Sequence, residues 1–395
     1  MFLNALRRRN EPLLQAAISL HREGAIRANS YVIDLDAVMR NARRMREEAD
    51  RLALELFAMT KQVGRGAPFA HALKEGGIES AVAVDLDCGV AAEAGGLKIG
   101  HIGHLVQIPR GEAGVAAALE PANWTVFNDE KAREAAAASR HQGRTQDLLA
   151  RLVAPEDRFY RGHEGGFDAA EAPEVAERLD SLDSARFAGI TTFPALLFDL
   201  ETRRLTPTPN LATLERAATE LAAAGHDVRV NAPGTTATTA LKLLADAGAT
   251  QVEPGHGLTG TTPAHAFEDL PEEPAVLYLS EISHHAGGKA YCFGGGLYVD
   301  PVFGAYDIRA LVAQDADPAG WTEAAAELPP PDAIDYYGLL DPPAAVGATV
   351  IFGFRIQAFV TRATVVGLSG VSSGEPEIRG AWGPDGHPRA RSLAS

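Results

Sequence analysis

The sequence predicts an α/β fold: a (β/α)8 TIM barrel followed by a C-terminal, mostly β domain. Three observations carry this. Between residues 30 and 260, short β-rich apolar runs alternate with Ala/Leu-rich amphipathic segments, the pattern of parallel βα units. Eight such runs occur, and eight units in about 230 residues match a closed barrel. Past residue 265 the helical periodicity stops and β-type runs follow one another. The alternative is an open doubly wound sheet. It would carry a Gly-x-Gly-x-x-Gly loop after its first strand, and none follows here.

The elements follow in chain order. Residues 1–28, MFLNALRRRNEPLLQAAISLHREGAIRA, mix charged and apolar positions and read as one or two amphipathic helices, not a signal peptide. The expected barrel strands are LELFAMT (54–60), SAVAVD (80–85), HLVQI (104–108), WTVFN (124–128), LLARLV (148–153), FAGITTF (187–193), VRVN (228–231) and TQVEP (250–254). Asn128 opens one intervening helix, with Asp129 and Glu130 in the first turn where negative charge suits the dipole. Pro209-Asn210 opens another, with Leu211, Leu214, Ala218 and Leu221 on one face and Gly225 closing it. Later runs, AVLYLSEIS, KAYCFGGGLYV, ATVIFGFRIQAFV and TVVGLSGV, read as strands, with Pro329-Pro330-Pro331 in a long connection. The expected division is a helical segment 1–28, a barrel 29–265, a β domain 266–382 and a frayed tail 383–395.

Hydrophobic residues make up 46% of the 395, enough for a sizeable core. The net charge of −16 argues against nucleic acid and anionic membrane surfaces. No run of about 18 apolar residues is present. Cys88 and Cys292 are the only cysteines, too few for a disulfide framework, so a reducing cytoplasm is expected.

Barrel enzymes place their chemistry at the C-terminal ends of the strands. Those ends carry Lys61, Asp85, Gln107, Asn128, Arg158 or Arg161, Thr192, Asn231 and Glu253. A lone strand-end lysine is ordinarily a solvated surface group. Its functional reading is a Schiff-base amine, which needs a partly desolvated ammonium. Two further loops add weight. Strand seven runs into Asn231-Ala232-Pro233-Gly234-Thr235-Thr236 ahead of a helix, and strand eight into Glu253-Pro254-Gly255-His256-Gly257. Each is an ordinary βα turn when taken alone. Together, at the positions where barrels often bind phosphate, their backbone N–H groups and hydroxyls form a phosphate cradle.

The segment Tyr31-Val32-Ile33-Asp34-Leu35-Asp36 to Asn41, then Ala58-Met59-Thr60-Lys61-Gln62-Val63-Gly64-Arg65, resembles the start of alanine racemases and related fold-type III enzymes. The likeness covers nearly the whole chain, includes the Pro-Gly-x-x-x-x-Gly run ending at Gly260, and is nearest to YhfX-type members. It implies that Lys61 binds pyridoxal 5'-phosphate, with Arg65 at the place of a phosphate-binding tyrosine, able to act bidentately. Thr235, Gly255 and His256 are further implied phosphate contacts. Tyr291 resembles the tyrosine that reaches the opposite cofactor face from the partner subunit of a homodimer with shared active sites. Two positions depart from the racemase pattern. Glu253 stands where racemases have an arginine facing the pyridine nitrogen, and a carboxylate there favours a protonated ring. Thr192 replaces a ring-stacking histidine.

The expected activity is that of an amino-acid racemase or epimerase acting on a small amino acid. A decarboxylase or lyase of fold type III and a non-catalytic cofactor-binding protein are the alternatives. No metal is expected. His284-His285 with Cys292 lacks the spacing of a zinc site. Gly294-Gly295-Gly296 lacks a dinucleotide context. His101 and His104 read as structural, and Cys88 as core.

Overall fold

The computed structural model describes residues 2–298, 307–330 and 332–389. The chain forms two compact units, Ala42–Thr60 with Leu73–Gly257, and Met1–Asn41 with Lys61–Ala72 and Leu258–Ser395. The first strand, β1 (Ser30–Asp34), belongs to the second unit.

The first unit is a parallel barrel. Its opening strand is split at Phe57 into β2 (Glu55–Leu56) and β3 (Ala58–Met59). The ring continues through β4 (Ser80–Ala83), β5 (Lys98–Ile102), β6 (Asn123–Val126) and β7 (Gln146–Val153). A short β8 (Phe167–Asp168) pairs with β7 off the ring. β9 (Ala185–Thr191) follows, then a hairpin of β10 (Leu196–Asp199) and β11 (Arg204–Pro207), then β12 (Arg229–Asn231) and β13 (Gln251–Val252). β13 pairs with β2 and β3 with β4, so the ring closes through the two halves of its first strand. Eight strand positions with helices between them are the expected (β/α)8 barrel. Asn128 caps its helix by accepting from the Lys131 amide at 2.9 Å. The helix Pro209–Ala223 buries Leu211, Leu214 and Leu221 as expected.

One strand is misplaced by the sequence reading. The third strand is Lys98–Ile102, and residues 104–108 form the loop after it. The glycine in KIGHI weakens it as a strand by propensity. Here that glycine is required: a Cβ on Gly100 would lie 2.2 Å from the Phe57 ring. HLVQI looked more apolar, but its Val106 is exposed.

The second unit opens with the helices Phe2–Arg9 and Glu11–Arg22. Asn10 between them accepts from the Leu13 amide at 3.3 Å and donates to Asp34 Oδ2 at 3.0 Å. The sheet adds β14 (Val276–Ala286), β15 (Lys289–Phe293), β16 (Arg309–Ala313), β17 (Thr322–Glu327), β18 (Tyr337–Asp341), β19 (Thr349–Phe352), β20 (Thr364–Ser369) and β21 (Glu377–Trp382). β14, β15, β18, β17, β16 and β19 pair in a ring, and β1, β20 and β21 extend from β14. Its core joins Leu13, Leu14 and Ile18 of the second helix to Val32, Leu277, Leu279, Leu311, Ile351 and Val366. β1 lies between β14 and β20, parallel to β20. The linear division at residue 29 therefore misses that 30–34 completes the C-terminal sheet. Residues 383–389 also fold back: Arg389 N donates to Ala381 O at 2.9 Å and Pro388 bridges to Trp382. Residues 390–395, Val299 of the KAYCFGGGLYV run and Pro331 lie outside the described residues. Among the described residues, no helix is long and apolar enough to cross a membrane.

Candidate active site

Inside the barrel unit, inward positions on successive strands form one polar set. Side chains alternate in and out along each strand, and β5, β6, β9 and β12 turn His101, Thr125, Thr191 and Asn231 toward Glu253. Glu253 Oε1 accepts from His101 Nδ1 at 2.5 Å and from Asn231 Nδ2 at 3.1 Å. His101 Nε2 meets Thr125 Oγ1 at 2.5 Å, and Thr191 Oγ1 donates to Asn231 Oδ1 at 2.7 Å. His104 Nε2 lies 3.2 Å from Glu253 Oε2, an ion-pair distance without hydrogen-bond alignment, so Oε2 is buried with no hydrogen bond. Burial acts to raise the Glu253 pKa. The neighbouring His104 and His101, with hydrogen bonds from His101 and Asn231, outweigh it and hold the carboxyl below its usual range. His101, His104 and Glu253 offer ligand atoms within 4.8 Å of one another. The 2.5 Å between His101 Nδ1 and Oε1 is a hydrogen-bond separation, shorter than the roughly 3 Å between two ligands of one zinc ion.

The loops after β12 and β13 meet. A Cβ on Gly257 would lie 2.5 Å from Thr236 O, and one on Gly234 would lie 2.7 Å from the Leu196 backbone. Both positions therefore need glycine for close backbone approach. The helix Thr238–Asp246 starts in this loop behind Ala237, whose side chain has no polar atom to cap it. Thr235 is half-buried, and its amide donates to Leu196 O at 3.1 Å. Gly255 is half-buried and His256 is buried.

In the second unit, Lys61 begins a 3-10 turn (Lys61–Val63), two residues past Met59 of β3. Gly64 and Arg65 both take left-handed backbone, at φ 72° and 60°. Trp382 Nε1 donates to Val63 O at 2.8 Å, and a Cβ on Gly66 would lie 2.2 Å from the Trp382 ring. The Lys61 ammonium sits 5.1 Å from the centroid of Phe359. Tyr291, on β15, stacks on His284 at 4.6 Å and meets Tyr337 edge-on at 6.3 Å.

The family described as alanine racemase, N-terminal domain, matches residues 33–263, and the YhfX-like C-terminal domain matches residues 277–378. A protein of Escherichia coli (strain K12) described as "Uncharacterized protein YhfX" is 42% identical over 385 residues, spanning 97% of this chain and 98% of that one. The chain belongs to the alanine racemase-like fold-type III family. Solved structures share the fold at low identity. D-threonine aldolase from Filomicrobium marinum is 18% identical with a TM-score of 0.64, covering 90% of this chain and 95% of that chain. D-threo-3-hydroxyaspartate dehydratase from Delftia sp. HT23 is 19% identical with a TM-score of 0.62, covering 88% and 95%. Alanine racemase from Clostridium difficile 630 is 16% identical with a TM-score of 0.62, covering 90% and 98%.

The two units divide the residues named from sequence. Thr192, Asn231, Thr235, Glu253, Gly255 and His256 lie in the barrel unit, and Lys61, Arg65 and Tyr291 in the other. Asn231, expected at the cofactor, has its amide committed to Glu253 and Thr191, so it holds Glu253. Thr192 is buried and accepts from Asn210 Nδ2 at 3.3 Å. The largest omission is His101 and His104. Both sit against Glu253, a contact that the sequence reading of them as structural residues did not include. Placing strand three at 98–102 would have put His101 on an inward position near its C-terminal end. His284 stacks on Tyr291, and Cys292 is buried with its thiol pushed up to about 11 by desolvation.

Proposed function

We propose that this chain is a pyridoxal-phosphate enzyme that removes and returns the α-proton of a small amino acid, as a racemase or epimerase. The observation that carries the cofactor and carbanion part of this reading is Glu253, a buried carboxylate held ionised by His104, His101 and Asn231, with Oε2 left without a hydrogen bond. That buried acceptor suits a protonated ring nitrogen. The loops after β12 and β13, which approach each other closely at Thr236 and Gly257, are small-residue turns whose backbone amides suit a phosphate. The residues present therefore fit the cofactor. Lys61 would hold it covalently. Arg65, Thr235, Gly255 and His256 would take its phosphate, Glu253 its ring nitrogen, and Thr192 would lie along the ring. When bound, pyridoxal phosphate supplies an electron-withdrawing ring conjugated to the substrate nitrogen. Lys61 Nζ takes the α-proton from one face, and the hydroxyl of Tyr291 of the partner subunit delivers a proton to the other.

A lyase is the second reading. It is favoured by Glu253 standing where racemases carry arginine, and it draws on fold neighbours described as an aldolase and a dehydratase. The test reduces the purified holo-protein with borohydride and maps the label. It then supplies pools of L- and D-amino acids in deuterated water. The expected results are a label on Lys61, α-deuterium incorporation and change of chirality. A label on Lys74, Lys98 or Lys289 sinks the lysine assignment. Carbon dioxide, aldehyde or ammonia without chirality change supports the lyase. Bound cofactor without any exchange supports a binding protein.

A further inference from the structure

Arg151 lies in β7 and is 1% exposed. It shares strand parity with Asp147, whose Oδ2 pairs with Arg229 Nη1 at 2.7 Å. Arg229 has the parity of Asn231, which bonds Glu253. Arg151 is also in register with Thr191, which bonds Asn231. The side chain therefore points into the barrel on the face that carries Glu253.

Asp157 and Glu164 favour the charge of Arg151 from nearby, but neither hydrogen-bonds it. The guanidinium lies over Phe127 at 4.6 Å and Phe159 at 5.6 Å, and Nη2 donates to His163 O at 2.5 Å. Nε and Nη1 are buried without a hydrogen-bond partner. Among the described residues no carboxylate makes an ion pair with it. Asp157 accepts from Thr213 Oγ1 and the Ala154 amide, and Glu164 from the Gly162 amide. Burial lowers the Arg151 pKa to about 10, which leaves it charged at neutral pH. A buried guanidinium with open donors is costly unless an anion completes them. Arg158 and Arg161, the strand-five arginines named from sequence, are exposed and carry no such strain.

An aromatic wall links this cation to Glu253. His104, beside Glu253, meets Phe193 at 5.7 Å, and Phe193 meets His163 at 6.0 Å. His163 O holds Arg151. Phosphate has its own cradle and the ring nitrogen has Glu253, so the anion still to be matched is on the substrate. We propose that Arg151 receives the α-carboxylate of the amino-acid substrate through Nε and Nη1, an assignment that rests on the reading above.

The test uses the holo-protein with two probes: a pool of L- and D-amino acids, and the matched pool of 2-amino alcohols, which keep the amine and lack the carboxylate. The first readout is the Arg151 Nε–H signal by NMR, assigned by its loss in Arg151→Met and Arg151→Lys. It is expected to shift with the amino acids and not with the alcohols. The second readout is half-saturation of the change in cofactor absorbance. Amino acids are expected to act at about tenfold or more lower concentration than alcohols, as for a charge-assisted pair. Arg151→Met removes that preference while the cofactor stays bound, and Arg151→Lys keeps part of it. An unchanged preference in Arg151→Met overturns the proposal. So does an Nε signal that moves on cofactor loading alone and ignores amino acids. A shift of Nε with amino acids but no absorbance response keeps the carboxylate site and removes the enzyme reading. Silence in both removes both. If Arg151→Met does not fold, the wild-type NMR comparison decides.

Discussion

At the scale of single residues, the chemistry turns on how Glu253 is kept ionised without solvent. His101, Asn231 and His104 surround a carboxylate that is buried at 3% exposure. Glu253→Gln keeps the shape and removes the charge. It is expected to retain cofactor and to lose α-proton exchange by a large factor, and nitrogen NMR on labelled cofactor should show an unprotonated ring. It also tests stability. The folded pKa lies below the unfolded value of about 4.3, so the ionised form stabilises the fold above that value. The contribution disappears as pH falls through the lower folded pKa. Urea melts should show the variant weaker by about 1–3 kcal/mol at pH 7, with the gap closing as the pH drops below the carboxylate range. A gap that persists in acid would assign the loss to packing. Glu253 was legible because strand eight ends at a distinctive Pro-Gly. The histidines and Arg151 were not. A buried histidine gives no pattern in sequence, and an arginine inside LLARLV looks like a lapse in an apolar run.

At the scale of elements, the sequence shows strands through apolar alternation, and it fails where a glycine interrupts. β5 was missed for that reason, although Gly100 is the residue that lets Phe57 pack. The same contact type governs the turn that presents Lys61. Gly66 lies against the Trp382 ring, and the indole Nε1 holds Val63 O at 2.8 Å. A tryptophan more than three hundred residues away thus fixes the loop that follows β3, a pairing that no local pattern reveals. Gly66→Ala inserts a Cβ 2.2 Å from the ring and is expected to destabilise by about 1–3 kcal/mol. Its thermal midpoint should fall, and cofactor should load more weakly as Lys61 shifts. Trp382→Phe removes the hydrogen bond and leaves room, so the double variant should recover part of the loss. No recovery would separate the turn from Trp382.

At the scale of the whole molecule, order along the chain and order in space diverge. β1 and residues 61–72 join the C-terminal unit, so a division drawn along the sequence splits what folds together. That unit also exposes apolar side chains. Ile334 is 66% exposed, Tyr336 58%, Tyr337 38% and Val360 51%, and the Arg362 guanidinium stacks on Tyr336 at 5.3 Å. Tyr337 touches Tyr291, the residue proposed to serve a neighbouring active site. Large exposed aromatics beside a stacked arginine have the make-up of an interface core, and a two-fold homodimer would bury the same patch from both copies. Sedimentation should then give a dimer, and Tyr336→Glu should shift it toward monomer with loss of activity. Sharing is tested by mixing. Lys61→Ala and Tyr291→Phe chains are each expected to be inactive, but a hybrid dimer has one site with both defects and one with neither. Random reassociation makes half the dimers hybrid, so about a quarter of wild-type activity should return. Chains that sediment as dimers yet give no recovery on exchange would place Tyr291 and Lys61 in the same subunit's site. Full activity in a dilute monomer would dispose of the shared site altogether.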